Sequence, residues 1–175
     1  MTFALYGLTP SSGLHENKEQ DTLYKLNLAY MPQDDQTWYA TISEGFRRGG
    51  INAVPTEGTF IEEDGWVPFN ADKVLNYELG RKGVTSNNIY YNLSFYKVVW
   101  KDPQLNTDTP NYSFYAVING DEAETQGFDL ELSGSLGKFD WDFGYARNSS
   151  ELTADLITPA STPALYASNG TTLPG

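Results

Sequence analysis

Glu78, Asp129, Glu131 and Asp142 are the side chains of this 175-residue chain best suited in type to acid–base chemistry. A general acid and a general base need two carboxyl groups held at a set separation around one substrate. Here each carboxylate falls on the polar side of its own alternating segment. No spacing brings two of them together, so they are expected to line a wet surface. The single histidine, His15, sits in a polar stretch with no Ser or Cys nucleophile motif, and a triad has no support. With no cysteine, disulfides, thiol chemistry and Cys-based metal sites are excluded. No catalytic residue, metal or cofactor is assigned, and the chain is not expected to be an enzyme.

Binding chemistry has more candidates. Arg47 and Arg48 stand where an alternating segment meets a long polar one, beside Gly49 and Gly50. A guanidinium pairs well with carboxylate or phenolate oxygens of an anionic ligand. The favoured reading is structural: an ion pair with Glu44 or Glu78, with the glycines allowing a tight turn. The acidic groups Glu62-Glu63-Asp64 and Asp121-Glu122 lack the regular spacing of a calcium loop and read as solvated loops. Asn-x-Ser/Thr triplets at Asn92, Asn111, Asn148 and Asn169 matter only in a eukaryotic secreted protein. Aromatic residues of the long segments, Phe60, Trp66, Phe69, Tyr112, Phe114 and Tyr115, have two readings of equal standing. They stack on a ring-bearing ligand, or they pack the loops on one another. Ligand-contacting residues stay unassigned.

Period-2 alternation defines the elements that must position these groups. It covers Leu23–Met31, Thr37–Gly45, Val74–Gly83, Ile89–Trp100, Thr125–Leu136 and the Trp141, Phe143, Tyr145 segment. Tyr24, Tyr30, Trp38, Tyr77, Tyr91 and Trp141 fall on the apolar side. Lys25, Asn27, Asn76, Glu78, Asn92, Asp129, Glu131 and Asp142 fall on the polar side. Short turns at Pro32–Gln36, Thr85–Asn88 and Gly137–Asp140 alternate with long segments at Met1–Thr22, Phe46–Lys73, Lys101–Glu124 and Thr153–Gly175. In an antiparallel meander, this order places all tight turns at one end of the sheet and all long loops at the other. Outer-membrane barrels are built this way, with short periplasmic turns and longer extracellular loops.

Composition agrees. Aromatics reach 14% while hydrophobic residues total only 39%, which suits girdles and bands more than a compact centre. A net charge of −12 without any basic run argues against nucleic acid. No stretch of about 18 apolar residues marks a membrane helix, and the first ten residues lack the pattern of a signal peptide.

Four motifs sharpen this reading. They are Ser43-Glu-Gly-Phe-Arg-Arg-Gly-Gly-Ile-Asn52, Asn76-Tyr-Glu-Leu-Gly-Arg-Lys82, Phe95-Tyr-Lys-Val-Val-Trp-Lys-Asp-Pro-Gln104 and Asn119-Gly-Asp-Glu-Ala-Glu-Thr-Gln-Gly-Phe-Asp-Leu-Glu131. In this order and spacing the chain, over roughly residues 20–160, resembles the middle-to-late barrel strands of TonB-dependent outer-membrane receptors. The resemblance implies an all-β, up-and-down meander of about six strands, part of a transmembrane barrel of ~22 strands closed by an N-terminal plug. It also implies a Gram-negative outer membrane with lipid around the wall. The partners implied are TonB, acting through the plug, and a scarce nutrient such as a ferric siderophore on the extracellular loops. No plug, TonB box or terminal aromatic strand is found. Residues 1–175 are therefore expected to be an internal piece of the barrel domain, unable to transport alone. The rival expectation is a small soluble β-sandwich or barrel that binds a ligand on its loops.

Overall fold

The structure, a computed structural model, describes residues 20–160 and 164–173. His15 and most of the segment Met1–Thr22 lie outside the described residues. In chain order the elements are β1 (Lys25–Gln33), β2 (Gln36–Arg47), β3 (Gly50–Ile51), a 3-10 turn (Asp64–Trp66) and β4 (Pro68–Phe69). Then follow β5 (Asp72–Val84), β6 (Tyr90–Lys101), β7 (Gln104–Asp108), β8 (Tyr115–Asn119), β9 (Glu122–Leu136), β10 (Phe139–Leu152), β11 (Leu156–Ile157) and β12 (Leu165–Ala167).

The six long strands form one antiparallel sheet in the order β1-β2-β5-β6-β9-β10. Each is hydrogen-bonded to the next long strand in the chain, which is the expected meander. Its tight connections use turn chemistry suited to hairpins. Leu136 pairs with Phe139 across a two-residue turn in which Gly137 has φ +65°, a conformation that favours glycine. Asn88 adopts φ 57° in the β5–β6 turn, where Thr85 and Ile89 close a backbone hydrogen bond.

Cross-strand register confirms the two faces. Leu28, Ala40, Leu79, Phe95 and Phe128 form one row on the apolar face. One residue away, Asn27, Thr41, Glu78 and Tyr96 form a row on the polar face. Nothing among the described residues covers the apolar face: Leu28 is 61% exposed, Leu79 55% and Phe95 53%. The buried core lies elsewhere, at the loop end of the sheet. A soluble sandwich would bury this face against a second sheet, so the small soluble module is not favoured.

The apolar band runs obliquely. It extends from Tyr24, just before β1, to Tyr30 on that strand, and on β10 from Tyr145 to Phe139. The row that starts at Tyr24 continues through Glu44, Leu75, Val99 and Glu124 to Glu151. The row that starts at Tyr30 runs through Trp38, Arg81, Leu93 and Leu130 to Tyr145. The last row of the band on β1 is thus its first on β10, six residues nearer the turns. Six residues at ~3.3 Å make about 20 Å of displacement, against about 24 Å for five strand spacings of ~4.8 Å. The strands are thus tilted about 40° from the perpendicular to the band, within the tilt of outer-membrane barrel strands of about 35–45°.

Four aromatic rings lie directly across from glycines on the neighbouring strand. The pairs are Tyr39–Gly80, Tyr91–Gly83, Tyr96–Gly127 and Trp141–Gly134. A Cβ on Gly80 would enter the Tyr39 ring, and one on Gly134 would sit 3.1 Å from the Trp141 indole. The rings shield backbone that glycine leaves bare and fix the register of adjacent strands.

Candidate functional site

At the loop end, the three long connections fold onto the polar side of the sheet. The buried cluster there contains Val54, Trp66, Val67, Ala116, Ile118, Ala123, Leu152 and Leu156, with Trp100 and Leu105 packed against it. Trp100 pairs with both Val74 and Ala123, and Ala123 pairs with Leu152. These wall residues share the polar-side alternation, so the loops lean over that face. The contact also explains why β9 and β10 outrun their alternating segments, starting at Glu122 and ending at Leu152.

The attachment is built from polar side chains bonded to backbone. Asp72, with a fully buried side chain, accepts hydrogen bonds from Arg47 Nε (3.0 Å), Trp100 Nε1 (2.8 Å) and the Gln104 N–H (3.1 Å). This carboxyl lies well beyond the apolar band. Burial pushes its pKa up, but the bonds from Arg47, Gln104 and Trp100 outweigh it and hold the group below its ordinary value. Gln104 Nε2 donates to the carbonyls of Arg48 (2.9 Å) and Asn70 (3.0 Å). Asn52 Nδ2 donates to the Trp66 and Val117 carbonyls, both at 2.8 Å, while its Oδ1 accepts from the Val117 N–H. Asn119 ties the Asn70 N–H and the Asp102 carbonyl together. All four anchors, Asp72, Asn52, Gln104 and Asn119, stitch the first long connection to the second.

Several sequence expectations are corrected here. Arg47 does form a structural ion pair, but with Asp72 on β5 and not with Glu44 or Glu78, because register sets Arg47 directly opposite Asp72. Gly49 and Gly50 serve close approach, not a turn. A Cβ on Gly49 would lie 2.7 Å from the Asn70 backbone, and one on Gly50 2.7 Å from the Phe69 ring. Glu62 is not solvated: it is 2% exposed and accepts from Thr109 Oγ1 (2.7 Å), Asn111 Nδ2 (3.0 Å) and the Tyr112 N–H (3.0 Å). It pins the tip of the β7–β8 hairpin. Glu122 pairs with Lys101 and accepts from Thr153 Oγ1.

Most of the loop aromatics pack on the protein. Phe60 meets Tyr112 edge-on at 5.3 Å, Tyr112 meets Phe114 at 6.4 Å, and Trp66 is 2% exposed. Phe69 lies over Gly50. Tyr115 alone of the six is largely bare, at 66% exposure.

The wall carboxylates stand apart on the polar face. Glu78, Asp129, Glu131 and Asp142 occupy four different rows, so no two are directly opposite. Glu78 accepts from the Tyr39 hydroxyl (2.9 Å) and Glu131 from Asn92 Nδ2 (3.1 Å). Among the described residues no cluster of three His, Cys, Asp or Glu could hold a metal ion. A depression of about 420 Å³ lies across Ala40, Ile42, Tyr77, Leu79 and Phe95, which are band residues of the apolar face.

Residues 5–175 match the family described as "TonB dependent receptor-like, beta-barrel". The chain belongs to that family. Pesticin receptors of Yersinia enterocolitica and Yersinia pestis are 30% and 29% identical to it over 141 residues, 80% of this chain and 20% of theirs. The crystal structure of the ferric yersiniabactin uptake receptor FyuA from Yersinia pestis aligns over 83% of this chain with a TM-score of 0.57 and 26% identity. The chain spans 20% of that receptor as well. As part of a TonB-dependent receptor barrel, the sheet is a section of outer-membrane wall. In barrels of this kind the apolar face of the wall is turned to lipid, the polar face to the lumen and the longer loops to the extracellular side.

Proposed function

We propose that this chain is a wall-and-loop section of a TonB-dependent receptor that takes up a scarce nutrient of the ferric siderophore class. The family match across the six-stranded sheet, with its uncovered apolar band, carries this reading. In it, residues 1–175 supply six strands of a barrel of ~22, and the plug domain belongs to a part of the receptor outside this chain. The sheet, which does not close on itself among the described residues, and the 20% coverage of the relatives support that division. Ligand capture falls to the extracellular loops, energy comes from TonB through the plug, and the wall supplies scaffold without reaction chemistry. Loop residues that pack on one another hold the mouth in shape, while exposed ones such as Tyr115 are available to a ligand.

The test is growth under iron limitation on a panel of ferric siderophores, with the gene deleted and restored. Loss of growth on one siderophore, dependent on TonB and rescued by the restored gene, supports the reading. Undiminished growth on all of them counts against it. Blotting fractionated cells with an antibody to residues 46–73 is the companion measurement. A band well above 19.5 kDa in the outer membrane is expected, and a soluble band near 19.5 kDa would revive the small module.

A further inference from the structure

Arg81 is a charged residue inside the apolar band, on the row from Tyr30 to Tyr145. Its neighbours there are apolar or aromatic: Trp38 on β2 and Leu93 on β6 lie directly opposite. Among the described residues no carboxylate pairs with it. A cation on a lipid-facing wall without a counter-ion is costly, and such residues are retained where something satisfies the charge.

The surroundings form a cradle. The guanidinium carbon lies 5.0 Å from the Trp38 ring centroid and 5.4 Å from that of Tyr91. Nη2 donates to Gln36 Oε1 at 2.6 Å. Gln36 stands on the next row toward the turns, opposite Gly83, which in turn pairs with Tyr91. Gly83 is one residue short of the end of β5, so the side chain leans to the periplasmic margin of the band. Two donors in this cradle, Arg81 Nε and the Tyr91 hydroxyl, are buried and have no hydrogen-bond partner. A buried donor left unmade is expensive, and two in one cradle with a cation that has no counter-ion call for an anionic acceptor.

The depth selects its source. At the turn-side margin of the band the available anions are phosphates of the periplasmic leaflet, which is built of glycerophospholipids. We propose that Arg81, flanked by Trp38 and Tyr91 and braced by Gln36, holds the phosphate of a periplasmic-leaflet glycerophospholipid on the outer wall of the barrel. The guanidinium supplies a charge-assisted fork, and Nε–H and the Tyr91 hydroxyl are the donors left for the phosphate oxygens. The rings supply cation–π support and a flat seat for the glycerol backbone. This site rests on the outer-membrane reading above.

The experiment is native mass spectrometry of the whole receptor in detergent, titrated with phosphatidylglycerol and, separately, with lipid A. Wild type is expected to retain a phosphatidylglycerol adduct that Arg81→Gln binds about tenfold more weakly, the effect of one lost charge-assisted contact. Arg81→Lys keeps the charge but not the fork, which safeguards the test should Arg81→Gln fail to fold, and is expected to bind several-fold more weakly. Lys97→Gln, on the loop side of the band, should bind as wild type does. Equal phosphatidylglycerol binding by wild type and the Arg81 variants overturns the proposal. So does an Arg81-dependent preference for lipid A, which belongs to the other leaflet. Failure of the outer-membrane reading is seen separately, by fractionation of the wild-type receptor.

Discussion

Arg47 and Asp72 face each other at the loop ends of β2 and β5, one guanidinium half in water and one carboxylate wholly out of it. The same carboxylate receives Trp100 from the wall and the Gln104 backbone from the second loop. One buried charge on β5 therefore joins its two neighbouring strands, β2 and β6, to the loop layer.

Asp72→Ala strands all of those donors at once. A loss of about 2–3 kcal/mol is expected for the loop layer, less than for a fully buried pair because Arg47 can turn to water. Faster proteolysis at the loops of the receptor, with the barrel itself still resistant, is the readout. Asp72→Asn should fall between wild type and Asp72→Ala.

Acid should act through the same group. Asp72 is held below its ordinary pKa in the folded state. Its contribution is therefore complete above the unfolded value of ~3.9 and lost as pH falls through the lower folded value. Protection of the loops against hydrogen exchange in the wild type should decline only below about pH 4. Asp72→Asn should lack that component, and an unchanged acid profile in the variant would assign the decline to other carboxylates.

Glu62→Ala removes the acceptor for Thr109, Asn111 and the Tyr112 N–H. About 1–3 kcal/mol of local stability should be lost, concentrated in residues 109–114. Hydrogen exchange resolved by peptide separates this from a global effect.

Gly80→Ala forces the Tyr39 ring off its seat and frees Glu78 of its phenolic donor. We expect about 1–3 kcal/mol of destabilisation, measured by denaturant unfolding of the refolded receptor. In a cycle with Tyr39→Leu, the double variant should lose less than the sum of the two singles, since the ring to be displaced is gone. Strict additivity would mean that ring and glycine are independent.

Residues 1–175 alone should aggregate. Among the described residues no strand pairs with the outer edge of β1, and that of β10 is bonded only at its loop end, by the segment around Thr172. Leu26, Leu28, Phe143 and Tyr145 stay at least half exposed beside these edges. A monodisperse, cooperatively unfolding monomer in detergent-free buffer would contradict this.

The wall was largely legible in the residues, because a strand buried on one side must alternate and turns must carry Gly, Asn or Asp. The loop layer was not. Asp72 lies just before the expected segment Val74–Gly83, and nothing periodic connects it to Arg47, Trp100 or Gln104. Only register makes them neighbours. Glu62 reads as one of three acidic residues in a polar stretch. Its burial depends on a hairpin tip some fifty residues later, and side-chain-to-backbone bonds have no sequence period. Arg81 was visible inside a family-like motif, yet its exceptional place emerges only once the band is traced across six strands.

Each pairing in the wall joins long strands that are neighbours along the chain. Growth of the sheet can thus proceed one hairpin at a time, with every finished strand offering a fresh template edge to the next. The entropic cost of closing a connection rises only logarithmically with its length, by about 0.6 kcal/mol per doubling. The long loops therefore slow this zipping little, and the β7–β8 hairpin shortens the span that its connection must close. Order of synthesis and order of assembly can coincide, so the exposed edge at any moment is a growth point with a successor already tethered to it.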